Sequence, residues 1–152
     1  MKKIIFLITI LLFASSTLFG GADEMPSTRS GGNLSTVKNA LLRFESNVRW
    51  SAVSSSWRRI RRSWIGNVKR AYSANRLGSL LARFESNIKW SAVSTSWRGI
   101  RSGWKSRARR CNSASQVARL LLKLESNTKW SAVSSSWRGI RSGWIRSLRS
   151  VR

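Results

Sequence analysis

The chain has 152 residues, with 29 Lys and Arg against 5 Asp and Glu, no histidine, and a formal net charge of +24. With one cysteine and so few carboxylates, no acid–base pair, metal cluster or nucleophile–base arrangement can be assembled, so the sequence predicts a non-enzymatic protein without metal or cofactor. A charge of this size on so short a chain opposes compaction and favours polyanionic partners.

Residues 1–22 read as an export signal. Lys2 and Lys3 form a positive start, residues 4–14 are mostly apolar, and Gly20-x-Ala22 fits the small-residue rule for cleavage after Ala22. The apolar run is short for a membrane span. The expected location is therefore secreted: extracellular, or periplasmic in a Gram-negative host. Residues 23–34 contain Pro26, Gly31 and Gly32 and read as a flexible leader.

Three repeats follow, over 35–74, 75–114 and 115–152. They share the text Glu-Ser-Asn-x-x-Trp-Ser-Ala-Val-Ser-x-Ser-Trp-Arg-x-Ile-Arg-x-x-Trp, which starts at Glu45, Glu85 and Glu125 and contains all nine tryptophans. The first segment of each repeat carries an apolar stripe at i, i+4, i+7, i+11: Val37, Leu41, Phe44 and Val48, then Leu77, Leu81, Phe84 and Ile88, then Val117, Leu121, Leu124 and Thr128. That spacing predicts an amphipathic helix, with Ser35, Asn75 and Ser115 as N-caps.

The second segment places Trp50, Val53, Trp57, Ile60 and Trp64 within an arc of roughly 80° if it is one helix, with Arg58 and Arg61 beside it. The stripes of the two segments would point about 200° apart on a straight helix. A break at Ser46-Asn47 lets them share a core, so the predicted unit is a helical hairpin. The fold class is all-α: three tandem helical-hairpin repeats, loosely packed as a short solenoid or partly disordered. The Gly99/Gly103 and Gly139/Gly143 pairs suggest either a close helix approach or a segment only marginally helical in water.

Tryptophan interleaved with arginine carries the functional signal. Indoles favour the water–lipid boundary, and guanidinium groups add attraction to phosphate and cation–π contact. The expected binding residues are Trp50, Trp57, Arg58, Arg61 and Trp64, then Trp90, Trp97, Arg98, Arg101 and Trp104, then Trp130, Trp137, Arg138, Arg141 and Trp144. The expected partner is an anionic lipid or envelope surface. The alternatives are an extracellular structural protein that binds nucleic acid or acidic polysaccharide, and a homo-oligomer assembled through tryptophan seams. A buried seam between helices is the competing reading of the same stripe.

Basic pairs ending at Arg70 and Arg110 sit 40 residues apart and mark candidate processing sites of a precursor of antimicrobial-type peptides. In composition, though not in motif, the chain resembles cationic Trp/Arg host-defence peptides. The glutamates are expected to pair with Arg49, Lys89 and Lys129 at i+4. Cys111 has no intrachain partner and leaves an intermolecular bridge as its covalent option.

Overall fold

The computed structural model describes residues 21–152, with side chains described from Asn33 onward. Most of the export-signal reading lies outside the described residues. Six helices follow in order: α1 (Gly21–Asn47), α2 (Ser55–Arg70), α3 (Ala74–Ser86), α4 (Trp97–Arg109), α5 (Ala114–Ser126) and α6 (Trp137–Arg149). Among the described residues there is no β-strand beyond three isolated bridges. The chain is all-α, built of tandem helical hairpins α1–α2, α3–α4 and α5–α6.

The first helix of each hairpin forms as the stripe predicts. Val37, Leu41 and Phe44 are buried, as are Leu77, Leu81 and Phe84, and Val117, Leu121 and Leu124. The fourth stripe members lie past the helix ends on the connections. The break falls where expected, because the Asn47, Asn87 and Asn127 side-chain amides donate back to the carbonyls of Arg43, Arg83 and Lys123 and close the last turn.

One local expectation needs correction. The N-caps of α3 and α5 are Ser73 and Ser113, whose hydroxyls accept from the amides of Arg76 and Gln116. Asn75 and Ser115 lie inside the first turn, and Ser35 lies within α1.

From Asn33 to Arg152 the hairpins close on one another instead of stacking openly. The second helix of each hairpin packs on the first helix of the next, and α6 returns to α1. Trp57 and Trp64 lie 5.3 and 5.6 Å from Phe84 between ring centroids, while Trp137 and Trp144 lie 5.5 and 5.7 Å from Phe44. The indole N–H of Trp64 donates to the Leu80 carbonyl, that of Trp104 to Leu120, and that of Trp144 to Ala40, each at 2.9 Å.

The connections repeat the same cycle. Val53 pairs with Ile88, Val93 with Thr128, and Val133 with Val48. Lys89 donates its amide to Ala52, Lys129 to Ala92, and Arg49 to Ala132. Ala52, Ala92 and Ala132 form a small apolar cluster at that end of the pseudo-threefold axis.

The packing is tight, which replaces the looser arrangement expected from charge. One continuous core runs through all three hairpins. Six buried indoles each remove roughly 150–250 Å² from water, worth about 4–6 kcal/mol apiece as an upper bound. That gain outweighs repulsion among cations that sit on the outside and are screened by salt.

Candidate functional site at the tryptophan–arginine end

The structure divides the nine tryptophans into two classes. Trp57, Trp64, Trp97, Trp104, Trp137 and Trp144 are buried in the core, so they are not surface-binding residues. The stripe geometry holds for them, but its apolar arc is filled by the next hairpin. Their N–H groups are used inside: Trp57 donates to Glu45 at 3.0 Å and Trp97 to Glu85 at 3.4 Å. Trp50, Trp90 and Trp130 are 48%, 46% and 50% exposed.

Their exposure follows from local backbone. Each opens a three-residue 3-10 turn, Trp50–Ala52, Trp90–Ala92 or Trp130–Ala132, rather than the first turn of the tryptophan helix. Extended residues flank the turn on both sides, at Arg49 and Val53 in the first repeat. The single helix expected from Trp50 through Trp64 is thus two elements, and the first indole leaves the stripe.

The expected arginines do gather around these three rings. The Arg58 and Arg61 guanidinium carbons lie 5.2 and 5.7 Å from the Trp50 ring centroid. Arg98 and Arg101 lie 5.2 and 5.1 Å from Trp90, and Arg138 and Arg141 lie 5.1 and 5.7 Å from Trp130. These are cation–π distances.

Buried glutamates hold one arginine of each pair. Arg61 donates to both oxygens of Glu45, at 2.7 and 2.9 Å, and Arg141 Nε to both oxygens of Glu125, at 2.7 and 2.8 Å. Arg101 Nε donates to Glu85. The Glu45 hydrogen bond raises the Arg61 pKa above its ordinary value, against the opposing effect of burial. The glutamates therefore pair sixteen residues on and not four, because a buried carboxylate at a helix end faces the partner helix instead of its own outer surface. Arg58, Arg98 and Arg138 are exposed and form no ion pair among the described residues.

All three clusters share one end of the domain. Each exposed tryptophan stands two residues from Ala52, Ala92 or Ala132, and those alanines touch one another. The repeated serines belong to the scaffold beneath. Ser54 donates its hydroxyl to Asn87 Oδ1, Ser94 to Asn127 and Ser134 to Asn47, each at 2.7 Å. Beside Trp130, a groove of about 610 Å³ continues along α6 between Arg138, Arg141, Ile145, Arg146 and Arg149.

Arg70 ends α2 and Arg110 follows α4, both exposed. Cys111 is 2% exposed in the core, where Ala71 and Val151 stand in the other repeats, so an intermolecular bridge would require opening the fold. Burial also pushes its thiol pKa up. Gly99, Gly103, Gly139 and Gly143 would meet nothing within 4 Å if given a Cβ, so no helix approaches them. The close approach lies at Gly78, where a Cβ would stand 2.1 Å from the Ala108 carbonyl oxygen.

Among the described residues no group of three or more His, Cys, Asp or Glu could hold a metal ion, and no helix is long and apolar enough to cross a membrane. No curated protein and no solved structure matches the chain. A family model matches residues 32–89 and again 75–131. Each match takes in one hairpin and the first helix of the next, which is the unit that buries a pair of tryptophans. The chain therefore belongs to the family described as Domain of unknown function (DUF8799).

Proposed function

We propose that this is a secreted, non-enzymatic cationic repeat protein that docks its tryptophan–arginine end on an anionic membrane or envelope surface. One observation carries the reading: three equivalent Trp–Arg–Arg clusters surround the alanine triad at a single end of the domain. Half-exposed indoles suit the polar–apolar boundary, and unpaired guanidinium groups beside them suit phosphate headgroups. The net charge, +24 for the full chain and 27 − 5 = +22 once Lys2 and Lys3 leave with the export signal, adds long-range attraction to an anionic leaflet.

The interlocked core supports the intact chain as the acting form. Cleavage after Arg70 or Arg110 would leave each tryptophan helix buried against its neighbour, so released antimicrobial-type peptides would first have to unfold. Base stacking on single-stranded nucleic acid is disfavoured, because guanidinium groups already lie over the Trp50, Trp90 and Trp130 rings. An acidic polysaccharide remains the second reading, favoured by the arginine-lined groove along α6.

The test is co-sedimentation with anionic and with zwitterionic vesicles, for the wild type and a Trp50→Ala/Trp90→Ala/Trp130→Ala variant. Wild-type protein is expected on anionic vesicles only. The variant should bind at least about tenfold more weakly, since three modest contacts act together, while its far-UV spectrum stays helical. Unchanged vesicle binding by a folded variant sinks the proposal. Binding to heparin-like glycan but not to vesicles selects the polysaccharide reading, and mass that grows with concentration alone points to self-assembly through the same indoles.

A further inference from the structure

The near-identity of the three repeats makes any departure from the pseudo-threefold pattern informative. One such departure in charge lies away from the tryptophan end, where α4 packs on α5. A groove of about 560 Å³ there is lined by Arg107, Arg110, Arg119 and Lys123 over a floor containing Leu120 and Cys111. The equivalent positions between α2 and α3 are Asn67, Arg70, Ser79 and Arg83, and those between α6 and α1 are Ser147, Ser150, Asn39 and Arg43. Four cations thus converge in one of three otherwise matching places.

Complementarity to helix dipoles does not cover all four. Arg107 and Arg110 sit at the C-terminal end of α4, where positive charge complements the helix dipole. Lys123 lies in the last turn of the facing helix α5 and is favoured there in the same way, whereas Arg119 stands in the middle of α5 and gains nothing from either end. Among the described residues none of the four forms an ion pair, and no carboxylate lines the groove. Like charges held across a cleft without a counter-charge repel, and an anion bridging the two helices converts that repulsion into charge-assisted hydrogen bonds.

We infer that the α4–α5 groove binds a compact anion carrying two or more phosphate groups, with Arg107 and Arg110 on one side of it and Arg119 and Lys123 on the other. The volume suits a short oligophosphate or one multiply phosphorylated headgroup, and an extended polymer would span only part of itself there. The inference does not depend on the tryptophan end, since none of its residues belongs to those clusters.

Calorimetric titration of the full chain with inorganic triphosphate, at about 0.15 M salt to screen the general positive field, tests it. One site per chain is expected. The variant Arg107→Asn/Arg119→Ser installs the residues that the first repeat already folds with, so its unliganded melting temperature should be retained. It should bind triphosphate at least about tenfold more weakly, while Arg43→Ser in the α6–α1 groove should leave binding unchanged. Equal affinity in wild type and the double variant overturns the inference. So does a stoichiometry of three that disappears with Arg58, Arg98 and Arg138. Vesicles bearing a bisphosphorylated headgroup, against the same headgroup in free form, identify the source: capture of vesicles through Arg107 and Arg119 indicates a lipid, and binding of the free form alone indicates a soluble phosphate.

Discussion

At position 105 a lysine stands where the other repeats have Ile65 and Ile145, and its ammonium lies 3.7 Å from Glu85. Burial lowers the Lys105 pKa from 10.5, with the Glu85 charge acting in the opposite sense. The folded value thus lies below the unfolded one, so the unfolded chain holds more protons between them, and stability rises with pH across that window below 10.5. Lys105→Ile should abolish this alkaline rise and stabilise the protein at neutral pH. Urea unfolding midpoints at neutral pH and just under the lysine value check it; an equal rise in both proteins contradicts the account. Removing the carboxylate is the opposite case. Glu45→Ala strands the Trp57 N–H in the core and frees Arg61, and should cost about 2–3 kcal/mol, reduced from a fully buried pair because Arg61 is 31% exposed.

Helix packing separates two kinds of glycine that look alike in sequence. Gly103 lies within α4 with open space around it, so Gly103→Ala should stabilise by up to about 1 kcal/mol through helix propensity alone. Gly78 lets the α3 backbone meet Ala108 in α4, and the other repeats hold the same pair of positions with Lys38 opposite Val68 and Ala118 opposite Leu148. Gly78→Ala must push backbone against backbone and should destabilise by about 1–3 kcal/mol despite the better helix former. Opposite shifts in melting temperature would verify the distinction. The same contrast shows what one sequence makes legible. The i, i+4, i+7 stripes, the break at Ser46-Asn47 and the gathering of Arg58 and Arg61 beside Trp50 were readable, because each depends on neighbours within one repeat. The 3-10 turn that lifts Trp50 out of the stripe was not, since the turn is held by pairing of Val53 with Ile88 in another hairpin. The i+4 spacing points Glu45 to Arg49, whereas its partner is Arg61, for the same reason: the pairing is defined by hairpin packing.

Closure is a property of Asn33–Arg152 taken together, and it rests on contacts that local periodicity does not encode. The Asn47–Ser134 and Trp144–Ala40 hydrogen bonds join the first and last repeats. An open solenoid and a closed ring share the same repeat text, and what distinguishes them is whether α6 reaches α1. At the seam, the Asn33 amide donates to the Arg152 carbonyl at 3.2 Å. The equivalent residue pairs in the other repeats, Tyr72–Ser73 and Asn112–Ser113, are covalently consecutive. The ring therefore has three like junctions, two made by peptide bonds and one by a hydrogen bond. A circular permutant that starts at Ser73, joins Arg152 to Asn33 through a short linker and ends at Tyr72 should fold with the same buried-tryptophan emission and one cooperative transition. A chain ending at Asn112 keeps two complete hairpins but leaves α4 without α5 and Phe44 without Trp137 and Trp144. In a solenoid this truncation would remove stability in proportion to length. In a ring it removes two interfaces of three, and the fragment should lose its cooperative transition and red-shift its tryptophan emission. A fragment that melts cooperatively with blue emission would show that the hairpins stack without needing to close.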